Sequence, residues 1–158
     1  MARNRLVSRR RDGRYTLRLP DEVRTALGDL LGELRTLLTE EEHRNDDRMR
    51  RLFPPAYTDD LDANAEYQRF MRDELITSRV SAIDQVAESI SAKELTEAQL
   101  MAWMTSVNSV RLVIGTLLDV TEEHDLSQLS PDDPSFGGYL LYGELSIVLE
   151  HIVAALGE

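Results

Sequence analysis

The sequence predicts a mostly α-helical domain, a helical bundle of four to five helices with an N-terminal two-stranded β-hairpin. Apolar residues recur at spacings of three and four over most of residues 21–156, which is the period of an amphipathic helix. Asp12-Gly13 separates two short segments of alternating polarity, the strongest short-range signal of a hairpin. The chain has the length of one domain, so we assign residues 1–158 to a single domain, with 1–19 as an arginine-rich hairpin and 20–158 as the bundle.

The hairpin is predicted from residues 6–10 and 14–19, which flank the Asp-Gly turn. Tyr15, Leu17 and Leu19 share one face because successive side chains of a strand alternate between its two faces. An isolated two-stranded hairpin is only marginally stable in water. We therefore expect this apolar face to pack on a helix, and we expect β structure to be confined to the hairpin.

Helical periodicity continues from the hairpin to the end of the chain. Pro20 and Asp21 are typical of a helix start. The apolar pattern over residues 63–90 fits either one long helix or two helices joined near residues 77–78. Residues 121–138 are acidic and contain prolines, and they are predicted to form an exposed loop. The predicted helices are, in order, residues 21–38, 48–53, 63–90, 96–120 and a last one from 135 or 138 to 156.

The helix predicted over residues 96–120 is expected to lie at the centre of the bundle, after a short turn at residues 91–94. Thr96 and Gln99 match the Thr-x-x-Gln capping box, which satisfies backbone N–H groups at a helix start. In its second half almost every residue is apolar, and a helix of this kind is buried on most sides. Its core face consists of Leu100, Trp103, Val107, Val110, Ile114 and Leu117.

Two polar residues, Asn108 and Arg111, interrupt the apolar surface of this central helix. An unpaired buried charge is very costly, so Arg111 is expected to bind a carboxylate or main-chain carbonyls. The favoured interpretation is a structural polar network that Asn108 shares, since the two residues are three positions apart. An anion-binding arginine in a cleft is the alternative.

The charge of the chain is distributed unevenly. Residues 1–19 carry seven arginines and one aspartate, a net charge of +6, whereas the remainder, with 11 basic and 28 acidic residues, carries −17. This asymmetry predicts either a docking surface for an anionic partner or a basic segment that lies against the acidic helices of its own chain. A protein partner is favoured over bare DNA, because the acidic remainder repels a duplex. The expected partner-binding residues are Arg9, Arg10, Arg11, Arg14 and Arg18.

The sequence also bears on enzymatic, metal and membrane functions. No cysteine is present, which excludes disulfides and thiolate metal sites within these residues. No nucleophile elbow, P-loop or dinucleotide-binding glycine pattern occurs. His124 lies among acidic residues, but their spacing matches no known metal motif, so neither a metal site nor a cofactor is expected. No apolar run approaches the roughly 18 residues of a membrane span, and we expect a cytoplasmic, non-enzymatic protein without membrane association.

Four segments of the chain carry a family resemblance. They are RRDGRYTLRL at residues 10–19, LFPPAY at residues 52–57, the pattern Asn-x-x-Arg-Leu-x-x-Gly-Thr at residues 108–116, and the last helix from residue 139 to residue 156. Together they resemble an actinobacterial family of a domain of unknown function, to which the oxidative-stress transcriptional regulator AosR belongs. Redox sensing in AosR-type members is attributed to a Cys-x-x-x-Cys pair, and this chain has no cysteine. The resemblance therefore implies a regulator without a thiol switch.

The resemblance implies a non-enzymatic protein that acts on transcription through contact with a sigma factor, RNA polymerase or DNA. Genes of the family lie beside that of the Clp protease adaptor ClpS, so the resemblance also allows an adaptor in Clp-type regulated proteolysis.

A homodimer is a further expectation. Tyr67, Phe70, Tyr139 and Tyr142 leave an apolar strip beyond the core, and such strips often form symmetric interfaces. The inward face of the last helix is expected to contain Phe136, Leu140, Leu141, Leu145, Val148, Leu149, Ile152 and Leu156.

Overall fold

The computed structural model describes residues 5–40, 47–52, 61–118, 132, 134 and 136–158. The predicted loop at residues 121–138, including His124, therefore lies almost wholly outside the described residues. In the described part the prediction of a mostly α-helical bundle with an N-terminal hairpin is confirmed. The elements are β1 (Val7–Arg9), β2 (Tyr15–Leu17), α1 (Asp21–Thr39), a 3₁₀-helix (Asp47–Leu52), α2 (Leu61–Glu88), β3 (Glu94–Leu95), α3 (Glu97–Leu117) and α4 (Phe136–Leu156).

The hairpin forms around the Asp-Gly turn as predicted. β1 and β2 pair antiparallel, with Val7 opposite Leu17. Gly13 has a φ of +86°, a left-handed conformation that favours glycine, and its N–H donates to the carbonyl of Arg10 at 3.1 Å. The apolar face of the hairpin is buried, with Tyr15 among its residues.

The expectation that β structure is confined to the hairpin is wrong. Glu94–Leu95 forms β3 and pairs antiparallel with β2, which makes a three-stranded sheet in the order β1-β2-β3. The N–H of Leu17 also donates to the carbonyl of Lys93 at 2.8 Å. The segment is extended because it leads into the N-cap Thr96, which has extended backbone angles, and because Leu95 is completely buried. The turn predicted at residues 91–94 thus ends in a strand.

α3 is the central helix, as the sequence predicts, but the expectation that Leu117 belongs to its core face is wrong, because Leu117 is 59% exposed. Its capping box is present: the N–H of Gln99 donates to Thr96 Oγ1 at 3.1 Å, and the N–H of Thr96 donates to Gln99 Oε1 at 2.9 Å. Trp103 is completely buried and donates from Nε1 to Ser89 Oγ at 2.9 Å, which fixes the end of α2 against α3. α3 packs against α2, α4 and the 3₁₀-helix, so most of its faces are covered.

A buried arginine on α1 was not predicted from the sequence. Arg24 is only 6% exposed, and its guanidinium donates four hydrogen bonds to main-chain carbonyls. Burial lowers the pKa of Arg24, because removal from water disfavours its charged form. Arg24 stands at the head of the apolar stripe that continues with Leu27, Leu31, Leu34 and Leu38 at spacings of three and four. The burial of Arg24 is therefore indicated by its position in this stripe, although arginine is usually an exposed residue.

The remaining helices settle two predictions. The segment predicted over residues 63–90 forms one continuous helix, α2, and not two, and this helix ends at Glu88. α4 buries Leu145, Val148 and Ile152, but the expectation that Leu140 faces inward is wrong, because it is 54% exposed. Leu140 is about a third of a turn around α4 from Ile152, outside the face that packs on the bundle.

Two helices pass a simple test for membrane spans. α3 and α4 each have 21 residues and are apolar enough to cross a membrane by length and composition alone. In α3, 56% of the most apolar stretch is buried in the fold, as is usual for the core helix of a globular protein, whereas in α4 the figure is 28%. The absence of membrane association and the cytoplasmic location stay predictions.

Candidate functional site

The arginine hairpin is mounted on the C-terminal half of α4. The backbone N–H of Leu6 donates to Nδ1 of His151 at 3.2 Å, just before β1 begins. Val7, Tyr15 and Leu17 are each 2% exposed and form the buried face of the hairpin. Because strand side chains alternate, the residues between them point away from the core. Arg10, Arg14 and Arg18 are therefore displayed on its outer face and Arg11 at its turn, whereas Arg9 shares the face of Val7 at the exposed end of β1.

The arginines nearest to α4 are bound by groups of the same chain. Arg5 forms an ion pair with the carboxylate of Glu158, and Nη1 of Arg9 donates to the main-chain oxygen of Glu158 at 2.7 Å. Arg10 forms an ion pair with Glu94 of β3 at 2.7 Å. For Arg9 and Arg10, both expected to bind a partner, the structure thus supports the alternative that the basic segment lies against its own chain.

The turn of the hairpin is organised by a carboxylate. Oδ1 of Asp12 accepts a hydrogen bond from the backbone N–H of Arg14 at 2.9 Å, and Oδ2 lies 3.4 Å from Nε of Arg10. The Arg14 N–H bond lowers the pKa of Asp12, and the positive charges of Arg10 and Arg14 add to this effect. An ionised Asp12 therefore holds the turn in one conformation.

The other three expected partner-binding arginines remain exposed, and we call them the arginine face: Arg11, Arg14 and Arg18. Among the described residues, no hydrogen bond or ion pair is formed by the side chains of Arg11 and Arg14. Nη1 of Arg18 donates to Ser8 Oγ at 2.9 Å and to the carbonyl of Arg5 at 3.1 Å, so its guanidinium is held across β1 but faces no carboxylate. The arginine face can accept an anionic group.

A small depression adjoins the arginine face between β2 and the start of α1. Its volume is about 220 Å³, and Arg18, Lys93 and Asp21 are among its lining residues. This volume is below the 300–1,000 Å³ usual for sites that bind small molecules or cofactors. Its lining has three cationic residues, Arg18, Arg24 and Lys93, against one carboxylate, so a carboxylate side chain of a protein partner is a better match for its size and charge.

Asn108 and Arg111 form a hydrogen-bonded pair on α3. Nη2 of Arg111 donates to Asn108 Oδ1 at 3.0 Å, and Nη1 donates to the hydroxyl of Tyr142 on α4 at 3.0 Å. The guanidinium also lies over the Tyr142 ring, 5.5 Å from its centroid. The expectation of a carboxylate or main-chain carbonyl partner is wrong within the described residues. Arg111 is half-buried rather than enclosed, so neutral partners and a π-face suffice to hold its charge.

Gly115 lies beside this network, one turn further along α3. A Cβ atom at Gly115 would lie 3.0 Å from Nη1 of Arg51 and 3.1 Å from Cε2 of Tyr142. The glycine thus permits close approach of the 3₁₀-helix and α4 to the central helix. The Asn-x-x-Arg-x-x-x-Gly spacing serves one contact between helices, which indicates a structural role.

The apolar strip expected to form a dimer interface is only partly free. Tyr67 and Phe70 on α2 are 58% and 61% exposed. Tyr142, by contrast, binds Arg111, and the hydroxyl of Tyr139 donates to the carbonyl of Leu118 at 3.1 Å. The two tyrosines of α4 therefore serve contacts within the chain, and a homodimer through this strip stays a prediction.

Comparison with known proteins finds relatives that are named oxidative stress regulators. A family model described as Domain of unknown function (DUF2017) matches residues 2–156. An AosR protein of Mycobacterium leprae is 30% identical over 128 residues, which cover 70% of this chain and 58% of the relative. The oxidative stress regulators AosR of Mycobacterium bovis and Mycobacterium tuberculosis are each 29% identical over 156 residues, covering 87% of this chain and 71% of the relative. No solved structure matches the chain.

The match has two consequences for the interpretation of the chain. The chain spans little more than half of the Mycobacterium leprae relative, so the activity of that whole protein is not transferred with the match. The family model nevertheless covers the hairpin and all four α-helices, so the shared unit is the complete fold described above. The chain therefore belongs to the DUF2017 family, an actinobacterial family that includes the oxidative stress regulators named AosR.

Proposed function

We propose that this chain is a non-enzymatic regulatory protein that acts on transcription by docking its arginine face on an acidic surface of a sigma factor or RNA polymerase. The observation that carries the proposal is that the arginines of the hairpin fall into two groups with different contacts. Arg5, Arg9 and Arg10 fix the hairpin to α4 and β3, while the arginine face points outward. The names of the relatives, oxidative stress regulators, support a regulatory role.

Because the hairpin is fixed to α4 and β3, its exposed arginines are held in place for binding. Side chains on a preorganised hairpin lose less conformational entropy on association than side chains on a free segment. Arg14 and Arg18 flank β2 on either side, four positions apart, and an extended backbone separates their Cα atoms by roughly 13 Å. A guanidinium binds carboxylates through two parallel hydrogen bonds, so the arginine face matches spaced acidic side chains.

The charge of the remaining chain favours protein over DNA as the partner. Outside residues 1–19 the net charge is −17, and a DNA duplex would be repelled wherever it came within about one Debye length, roughly 8 Å at physiological salt. An acidic patch on a folded protein presents its charge locally and avoids most of this repulsion. DNA contact by the arginine face is the competing possibility. An adaptor function in Clp-type proteolysis stays a prediction, because no contact in the described residues favours it.

The proposal is tested with purified RNA polymerase, with and without its sigma factors, and with a labelled promoter duplex as a separate ligand. The variant Arg11→Gln, Arg14→Gln removes two charges from the arginine face. We expect it to bind polymerase or a sigma factor at least about tenfold more weakly than the parent, a loss of about 1.4 kcal/mol or more. Transcription in vitro should lose its response to the protein in parallel.

The matched control carries Arg35→Gln and Arg69→Gln, which changes the net charge by the same amount on exposed positions of α1 and α2. This control should bind like the parent. Equal loss in both variants would reduce the effect to net charge and contradict the proposed site. Binding to the duplex alone would replace the protein partner with DNA, and binding to neither ligand would overturn the proposal.

A further inference from the structure

α4 carries a second apolar face on the side away from the core. Its core face contains Leu145, Val148, Ile152 and Ala155, all buried. On the other side Leu140 and Ile147 are 54% and 52% exposed. The residues along the middle of that side alternate in spacing between four and three positions, and we call them the outer stripe: Phe136, Leu140, Gly143, Ile147, Glu150 and Ala154.

The spacing of the outer stripe is that of a coiled-coil seam. Alternation of four and three keeps side chains aligned along one line of a helix, where a second helix can pack against them. A surface helix of a globular protein needs only one apolar stripe, the one that faces its own core. We propose that the outer stripe pairs with the outer stripe of a second copy of this chain, as an antiparallel α4–α4 homodimer. The proposal is independent of the proposed function of the arginine face.

The order of residue sizes in the outer stripe favours the antiparallel arrangement. A two-fold axis between Gly143 and Ile147 places Gly143 of one copy opposite Ile147 of the other, and Phe136 opposite Ala154. Both of these pairs join a large side chain to a small one, as close packing requires, and the remaining pair places Leu140 opposite Glu150. Among the described residues a Cβ atom at Gly143 would meet nothing within 4 Å, so space for the opposing Ile147 is present. A parallel pair would instead place Gly143 against Gly143 and Glu150 against Glu150.

The dipoles of the two helices also favour the antiparallel pair. They are opposed in this arrangement, which places the positive end of each helix beside the negative end of its neighbour.

The size of the stripe predicts a reversible dimer. A helix of 21 residues is about 31 Å long, and a pair of such helices buries on the order of 1,000 Å² in total, near the lower limit of specific interfaces. Glu150 opposes this association because it faces Leu140 of the second copy, and a carboxylate against an apolar side chain is partly desolvated without a partner. We therefore expect monomer and dimer to exchange in the micromolar range.

Sedimentation of the full chain from low to high micromolar concentration tests the proposal. The parent should show a concentration-dependent dimer. Glu150→Leu should tighten association about tenfold, because it replaces the opposing carboxylate by an apolar contact to Leu140. Ile147→Arg should weaken association at least about tenfold, since it places a charge in the seam. The matched control Met101→Arg alters a residue on α3 that is 48% exposed, away from the stripe, and should behave like the parent.

The direction of the pair is tested with spin labels, which the lack of native cysteine makes straightforward. A label on Ser146→Cys lies near the proposed two-fold axis and should give a short distance between copies. A label on Ala154→Cys should give a separation of about 27 Å along the helix axis, whereas a parallel pair would give short distances at both positions.

A monomer at every concentration for both the parent and Glu150→Leu would overturn the proposal, as would short distances at both label positions. Weaker self-association of Glu150→Leu would also overturn the proposal, because it would show that Glu150 binds a basic group and not Leu140 of a second copy. Circular dichroism of each variant checks that the fold is intact. If Ile147→Arg does not fold, the Glu150→Leu measurement and the label distances still decide the matter.

Discussion

Nη1 of Arg24 on α1 lies 2.8 Å from the carbonyl oxygen of Ile90, 66 positions further along the chain, and donates a hydrogen bond to it. The same atom donates to Ala92, while Nε and Nη2 donate to Leu19 and Leu17. One guanidinium thus connects β2, the start of α1 and the segment between α2 and β3. The sheet that carries the arginine face depends on this connection.

Replacing Arg24 by methionine should destabilise the fold by at least about 3 kcal/mol. The apolar side chain retains much of the volume but leaves four main-chain carbonyls without their donor, and each unsatisfied buried group costs about 1–3 kcal/mol. Denaturant unfolding followed by circular dichroism measures the loss. Arg35→Met is the matched control: Arg35 forms an exposed ion pair with Asp84 on the surface, and its loss should cost at most about 1 kcal/mol. Equal effects would contradict the structural role of Arg24.

Arg111→Met should cost about 1–3 kcal/mol, less than the roughly 3–5 kcal/mol that follows when a buried carboxylate loses its partner. Its hydrogen-bond partners, Asn108 and the Tyr142 hydroxyl, are neutral and remain partly accessible. Tyr142→Phe removes the hydroxyl but keeps the ring under the guanidinium. A double-mutant cycle should give a coupling between the two positions of about 0.5–2 kcal/mol, and additive effects would show that the contact contributes nothing to stability.

Gly115→Ala and Gly32→Ala should change stability in opposite directions. Alanine at a helix position normally gains up to about 1 kcal/mol over glycine. At Gly32 on α1 an added Cβ meets nothing within 4 Å, so that gain should appear in full. At Gly115 the Cβ would crowd Arg51 and Tyr142, and overpacking of this kind costs about 1–3 kcal/mol. Thermal unfolding of both variants should therefore show a rise for Gly32→Ala only.

The turn of the hairpin should loosen in acid through Asp12. Its pKa lies below the ordinary value of 3.8, chiefly because the backbone N–H of Arg14 donates to the carboxylate. A lowered carboxyl pKa contributes stability that is fully present above the ordinary value and is lost as the pH falls through the folded-state pKa. The stability difference between the parent and Asp12→Ala should be constant near neutral pH and vanish in strong acid. A carbon NMR titration of the Asp12 carboxyl that gives an ordinary pKa would contradict this.

The local part of the fold could be predicted from the sequence because local rules determine it. Asp12-Gly13 sets the hairpin turn, and Thr96 with Gln99 sets the start of α3. β3 escaped prediction because two residues are too few to show a two-residue period, and they become a strand only when folding brings β2 alongside. Its extended shape was nevertheless implied by the N-cap that follows it.

The division of the arginines could not be read from the sequence. Charge counting places Arg9, Arg10, Arg11, Arg14 and Arg18 in one cluster, yet contacts with Glu158 and Glu94, which are distant in sequence, bind two of them within the chain. Tyr142 likewise showed no sign of its role as a partner of Arg111, since an aromatic residue on an apolar helix is typical of any core. Only the burial of Arg24 is indicated by the sequence, because Arg24 occupies a position in the apolar stripe of α1.

The order of strands in the sheet has a consequence for how the protein folds. β1 and β2 are neighbours in sequence and can pair within microseconds, but β3 joins β2 only after the chain between Leu17 and Glu94 has closed into a loop. Closing so long a loop lowers the conformational entropy of the chain, and local contacts do not offset this cost. Contacts between residues that are distant in sequence therefore slow folding. The three-stranded sheet should therefore form together with the packing of α1 and α2, as one cooperative unit in hydrogen exchange. An opening of that unit would release Glu94 from Arg10, so the surface that displays the arginines would lose its support whenever the bundle beneath it unfolds.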